Sequence, residues 1–328
     1  IALNAGGDYS STYVSALNGN LELTAGGNIS SFIAEAGSDV NMTSGGNVSI
    51  STTYSGNDLT VNAAGTIINE NSFADNNLNM TAGDNITSGE ARAENGNLSF
   101  VARSIDSNLA GAYLSLSMAA TEYINSTTLF SGSGIALNAG TSIVSGNANT
   151  GGKIEFDAGT SIDSTHAQAN SDISFSSGGS IVSTFAQTNG NLSIEATGDI
   201  NTDESLATND ISFISGAGIN AISTEAGNDI NMTAANGDVT ITEATAINNL
   251  SLIANNGDVN LTRGRTHNGN ATLNADNGSI TILDRLETAG TSGIEAASQI
   301  TAQNISSGDK ATVTAHNGLI DIENISTT

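Results

Sequence analysis

Asp39-Val40-Asn41-Met42-Thr43-Ser44-Gly45-Gly46-Asn47-Val48-Ser49 is one line of a pattern that recurs along the chain with like-for-like substitutions. NLELTAGGNIS begins at Asn20, DLTVNAAGTII at Asp58 and NLNMTAGDNIT at Asn77. DISFSSGGSIV follows at Asp172, NLSIEATGDIN at Asn191, DISFISGAGIN at Asp210 and DINMTAANGDV at Asp229. Self-similarity at a fixed period outranks any local reading. With the first apolar residue of each line as anchor, neighbouring anchors (Leu21, Val40, Leu59, Leu78, Leu98 and so on) stand 19–21 residues apart. The exception is a step of 16 from Leu98 to Leu114. About 17 such units fill residues 1–328 and leave no stretch for a second domain.

Inside a unit, the anchor and the residue two later are apolar, as in Leu21/Leu23, Leu59/Val61 and Ile211/Phe213. This period of two marks a half-buried strand. Four residues past the anchor the column turns small (Ala25, Ser44, Ala63, Ala82, Ala102), and Met118 is the one break in it. A Gly/Asn/Asp cluster follows and predicts a turn with positive φ. An apolar column then returns at Ile29, Val48, Ile67 and Ile86. Helix is excluded, because Gly, Asn, Ser and Thr at this density are poor helix interiors and no i, i+3, i+4 spacing occurs. Strands this short cannot stand alone, but stacked coils bury a continuous core. The sequence therefore predicts an all-β, right-handed parallel β-helix (a β-solenoid) of about 17 coils of 19–21 residues, uncapped at both ends and irregular near 98–134. Left-handed hexapeptide helices need multiples of six. The nine-residue calcium-roll repeat is absent. At about 4.8 Å between strands, such a rod is about 80 Å long.

The composition narrows the function. Lys+Arg is 7 and Asp+Glu is 33, a formal charge of −26, with no Pro, Cys or Trp. A chain this acidic has no electrostatic reason to bind nucleic acid or an anionic membrane. No apolar run reaches the roughly 18–20 residues of a spanning helix. Without cysteine there is no disulfide framework or thiolate site.

The residue before the anchor is Asn or Asp at Asn20, Asp39, Asp58, Asn77, Asn97, Asp172, Asn191, Asp210, Asp229, Asn249 and Asn270. Stacking turns this column into a ladder of corner residues whose side chains bond local or neighbouring-coil backbone. Asp39 then lies over Asp58, and Asp210 over Asp229. Calcium needs six to eight oxygens, which such pairs do not supply, so solvated corners with a local repulsion are the reading and no metal or other cofactor is expected. Arg263, Arg265, Arg285 and Lys310, with His267 and His316, suggest a patch for an anionic partner. Glu243, Arg263 and Asp284 instead stack as an acid–base–acid ladder, which is the simpler account. Catalysis is not expected: the histidines (His166, His267, His316) lie too far apart to converge, and His166 shares a column with Phe185. Tyr113, Tyr123 and Phe130 cluster in the irregular stretch, either to plug a bulged coil or to bind sugar or another chain; the plug is the expectation. Asn-x-Ser/Thr triplets (Asn28, Asn41, Asn47, Asn85, Asn97, Asn191, Asn231) are what chance supplies in this composition.

The lines DLTVNAAGTI, NLNMTAGDNI, NLELTAGGNI and DINMTAANGDV resemble the haemagglutinin-type repeats of filamentous haemagglutinin and other two-partner-secretion exoproteins. The resemblance implies a right-handed β-helical shaft, secretion through an outer-membrane partner, and adhesion to cells or surfaces. It carries no functional residue across; Arg263-Gly264-Arg265 is the nearest approach to Arg-Gly-Asp. The expectation is a fragment of an extracellular fibre that extends and adheres. Its partners are further coils of the same fibre, cell-surface glycans or other cells. Two alternatives stand beside it, a filament subunit that stacks end to end and a carbohydrate-active β-helix enzyme, with Glu122 and Asp106 as the acids to test.

Overall fold

The structure is a computed structural model that describes residues 1–327. Among them there are thirty-four strands and no helix, and every pairing is parallel, giving about seventeen turns of a β-solenoid. The chain forms two compact units, Ile1–Gly159 and the residues from Thr160 onward.

Each turn contributes a short and a longer strand. In the first unit, Leu21–Ala25 is a short strand whose first, third and fifth residues are buried. It pairs in register with Val40–Ser44, so Leu21 sits on Val40, Leu23 on Met42 and Ala25 on Ser44. The longer strand Ile29–Ala36 pairs likewise with Val48–Ser55. The longer strand is not a plain alternation. In Ile67–Ala74 the residues at 67, 69, 72 and 74 face in, and Glu70 and Asn71 both face out. Two successive outward residues bend the strand, so it supplies two faces of the coil and the short strand the third. The second unit repeats the scheme, with Ile173–Ser177 on Leu192–Ala196 and Ser161–Ala169 on Ser180–Thr188.

The core of each unit is one apolar residue stacked on the next. Phe100 and Phe156 in the first unit, and Phe175 and Phe213 in the second, occupy the second inward position of the short strand and are fully buried. A second inward column is polar. Ser88, Ser107, Ser126 and Ser145 stack in the first unit, and Ser164, Ser183 and Thr202 in the second. They are at most 4% exposed, and their hydroxyl oxygens have no hydrogen-bond partner.

Three expectations are corrected. The coil at 98–134 is not bulged. Leu98 pairs with Leu116, Phe100 with Met118 and Ala102 with Ala120. Leu114 is an exposed corner residue that imitates an anchor. With Leu116 as anchor, Met118 is an ordinary inward residue and Ala120 fills the small column. Second, no described residue has positive φ. A solenoid corner bends the chain into the next parallel strand instead of reversing it, so it does not need the left-handed conformation a hairpin uses. Glycine serves close stacking instead: a Cβ on Gly45 would lie 2.3 Å from the Gly26 carbonyl oxygen. Third, the longer strand Ile280–Thr288 carries an irregularity between Ile282 and Arg285, so Arg263 faces Arg285 and not Asp284.

Candidate functional site

The corner column before each short strand is a hydrogen-bonded ladder. In the first unit, Oδ1 of Asn20 accepts the backbone N–H of Asp39 at 3.4 Å, and Asp39 accepts that of Asp58 at 3.3 Å. Asp58 accepts Asn77 N–H at 3.0 Å, Asn77 accepts Asn97 at 3.0 Å, and Asn97 accepts Ser115 at 3.1 Å. In the second unit Asp172 accepts Asn191 N–H at 2.8 Å, Asn191 accepts Asp210 at 3.2 Å, and Asp210 accepts Asp229 at 3.1 Å. Asp229, Asn249 and Asn270 continue it at 2.9, 3.0 and 2.8 Å. A short acceptor side chain reaches one coil along because successive coils lie about 4.8 Å apart. Asp39 and Asp210 each use the same oxygen for a second donor, Asn57 and Asn228. Among the described residues no group of three or more His, Asp or Glu side chains is placed to hold a metal ion.

A matching ladder before the longer strand is absent from the sequence reading. Asp8 accepts Asn28 N–H at 2.7 Å, Asn28 accepts Asn47 at 2.8 Å, and Asn47 accepts Thr66 at 2.8 Å. In the second unit Asp199, Asp238 and Asp258 accept Gly218, Asp258 and Ser279 at 2.9, 2.8 and 2.7 Å. The signal is an Asx residue directly before the second apolar column in several coils, as at Asn28, Asn47, Asp199, Asp238 and Asp258. Asn28 and Asn47, and likewise Asn97 and Asn191, are therefore rungs as well as Asn-x-Ser triplets.

Several of the basic residues are engaged locally. Arg263 Nη2 lies 3.5 Å from Glu243, as the ladder reading expected of that half. Arg265 and Arg285 approach Glu287 at 3.8 and 3.3 Å, and His316 Nε2 lies 2.7 Å from Glu295. Arg103 stands between Asp84 and Glu122. These groups are exposed, and such pairs contribute little, about 0–1 kcal/mol each. His166 stacks face to face on Phe185 with centroids 4.5 Å apart; His267 stands exposed in another coil.

The first unit carries a different surface. One outward column of the longer strands reads Glu35, Tyr54, Phe73, Arg92, Gly111, Phe130, Asn149, each in register with the next. Tyr54 and Phe73 stack with centroids 5.3 Å apart and planes 15° from parallel. The Arg92 guanidinium lies 5.7 Å from the Phe130 centroid and 2.5 Å from Glu90. Between them Gly111 leaves room: a Cβ there would lie 1.9 Å from Phe130 Cζ. Phe130, Tyr113 and Leu114 are exposed, and with Arg92, Gly111 and Asn149 they line a groove of about 540 Å³. The aromatic residues of this region therefore lie outside and plug nothing. Tyr123 stands apart from the groove, its hydroxyl donating to Asp106 at 2.9 Å. That bond, with the negative charges of Asp106 and Glu122, raises the Tyr123 pKa above the usual phenol value. At the head of the column Tyr13 and Ser15 hydroxyls donate to Glu35 and hold its carboxyl below the usual range.

No family model, curated protein or solved structure matches the chain. No helix among the described residues is long and apolar enough to cross a membrane.

Proposed function

We propose that the chain is a shaft segment of an extracellular or cell-surface fibre, secreted in the manner of the filamentous-haemagglutinin-type exoproteins its repeats resemble, and that it extends and adheres instead of catalysing. One observation carries this reading. In both units runs of consecutive coils are joined by an Asn or Asp Oδ1 that accepts the next coil's backbone N–H, so much of the corner sequence is devoted to holding coils in register. A surface rich in Asn, Ser and Thr suits an exposed fibre, and a charge of −26 opposes aggregation. Immunogold labelling of intact producing cells with antibody to the folded chain tests it. Label on surface fibres or in the medium is expected. Label found only inside permeabilised cells sinks the reading.

A further inference from the structure

The groove beside Phe130 has the makings of a ligand site, and its details restrict the occupant. Phe130 lies along the face with its tip over Gly111, in the space a side chain there would fill, and stays 37% exposed. The ring is thus a platform laid on the sheet, backed by Arg92 at 5.7 Å. Tyr113, 65% exposed, stands beside it at the corner. Around these rings the groove presents a carboxylate (Glu94), an amide (Asn149) and a hydroxyl (Ser133). Its volume of about 540 Å³ falls inside the roughly 300–1,000 Å³ of small-ligand sites.

A pyranose ring has one face of C–H groups and a rim of hydroxyls, and it needs such a pairing of aromatic platform and planar polar groups. A polyanion is disfavoured, since Arg92 is already neutralised by Glu90 and the chain carries −26 overall. An extended peptide finds no free backbone edge, because the strands Ser104–Ala112 and Ile124–Ser131 are each paired on both sides. From Arg92 to Asn149 the column covers three coil steps, about 14 Å, and the step is close to the rise per sugar in an extended glycan. We infer that this groove binds an uncharged saccharide chain lying along the coil-stacking direction, its sugar rings on Phe130 and Tyr113 and its hydroxyls bonded by Glu94 and Asn149. The site would give the fibre reading its adhesive partner, and only that use of it rests on the reading.

Calorimetric titration of the whole chain with cellohexaose, chitohexaose, mannohexaose and laminarihexaose decides the matter, with a heparin hexasaccharide and a proline-rich decapeptide alongside. At least one neutral hexasaccharide is expected to bind. Phe130→Ala and Tyr113→Ser should each weaken it about tenfold, the order of one aromatic contact, with unchanged circular dichroism. Gly111→Leu, which takes the seat of the Phe130 ring, should weaken it too. Silence from all four neutral sugars overturns the inference. So does undiminished binding to folded Phe130→Ala and Tyr113→Ser proteins, or a preference for heparin or the peptide. Interior immunogold label would remove the fibre reading and leave this titration standing, and a silent titration would do the reverse.

Discussion

At the residue scale the corner ladders are open to direct measurement. Asp58 Oδ1 receives three donors, the backbone N–H and side-chain amide of Asn77 and the amide of Asn76, at 2.9–3.0 Å. Asp58→Ala leaves those donors to water and should cost about 1–2 kcal/mol, the net worth of such bonds. Asp58→Asn keeps an acceptor and removes the repulsion from Asp39, so it should cost less. Urea unfolding of both variants checks the order, and an Ala variant as stable as the parent would reduce the ladder to ornament. Tyr123 offers a pH test. Its folded pKa is raised by the Asp106 hydrogen bond, so its contribution is intact below the ordinary phenol range and is lost as pH rises through the folded value. In an ultraviolet titration Asp106→Asn should move the ionisation of Tyr123 to lower pH, and an unchanged curve would count against the bond.

Strands and corners explain what was legible and what was not. The short strand could be read directly, because Leu21, Leu23 and Ala25 alternate strictly and one face of the sheet is buried. The longer strand was legible only at its first apolar residue, since its mid-strand bend places two residues outward in succession and breaks the period of two. One coil is misplaced for a different reason: Leu114, an apolar residue at an exposed corner before the short strand, imitates a core anchor, and that anchor puts the column of Arg92, Gly111 and Phe130 out of register. The cluster of Tyr113 and Phe130 is legible in the sequence, but the pairing of Phe130 with Gly111 that lays the ring on the outer face is not. The correction has a consequence: Leu116→Ala, at a position 1% exposed, should cost about 2–5 kcal/mol. Leu114→Ala, at the surface, should cost little. Similar losses from both would restore the 16-residue step. The polar inner column of Ser88, Ser107, Ser126 and Ser145 was likewise hidden, because serine in a pattern reads as surface.

For the molecule as a whole, electrostatics acts against compactness. Thirty-three acids and seven bases give a charge of −26, and exposed ion pairs offset only a small part of the repulsion. Raising salt from about 0.01 M to about 1 M shortens the screening length from about 30 Å to about 3 Å. The melting temperature should therefore rise with sodium chloride. A fall would mean that the local pairs at Arg103, Arg263 and Glu287 outweigh the net charge.

In-register stacking also bears on how such a gene changes over time. Because Val40 and Leu59 occupy the same place in successive coils and Asp39 and Asp58 the same rung, excision of residues 40–58 joins Asp39 to Leu59 and recreates an existing junction. Strand Leu21–Ala25 would then meet Leu59–Ala63 as it now meets Val40–Ser44. Recombination between repeats can thus add or remove whole turns without a frame of contacts to repair, and length becomes a trait that selection can adjust in steps of one coil.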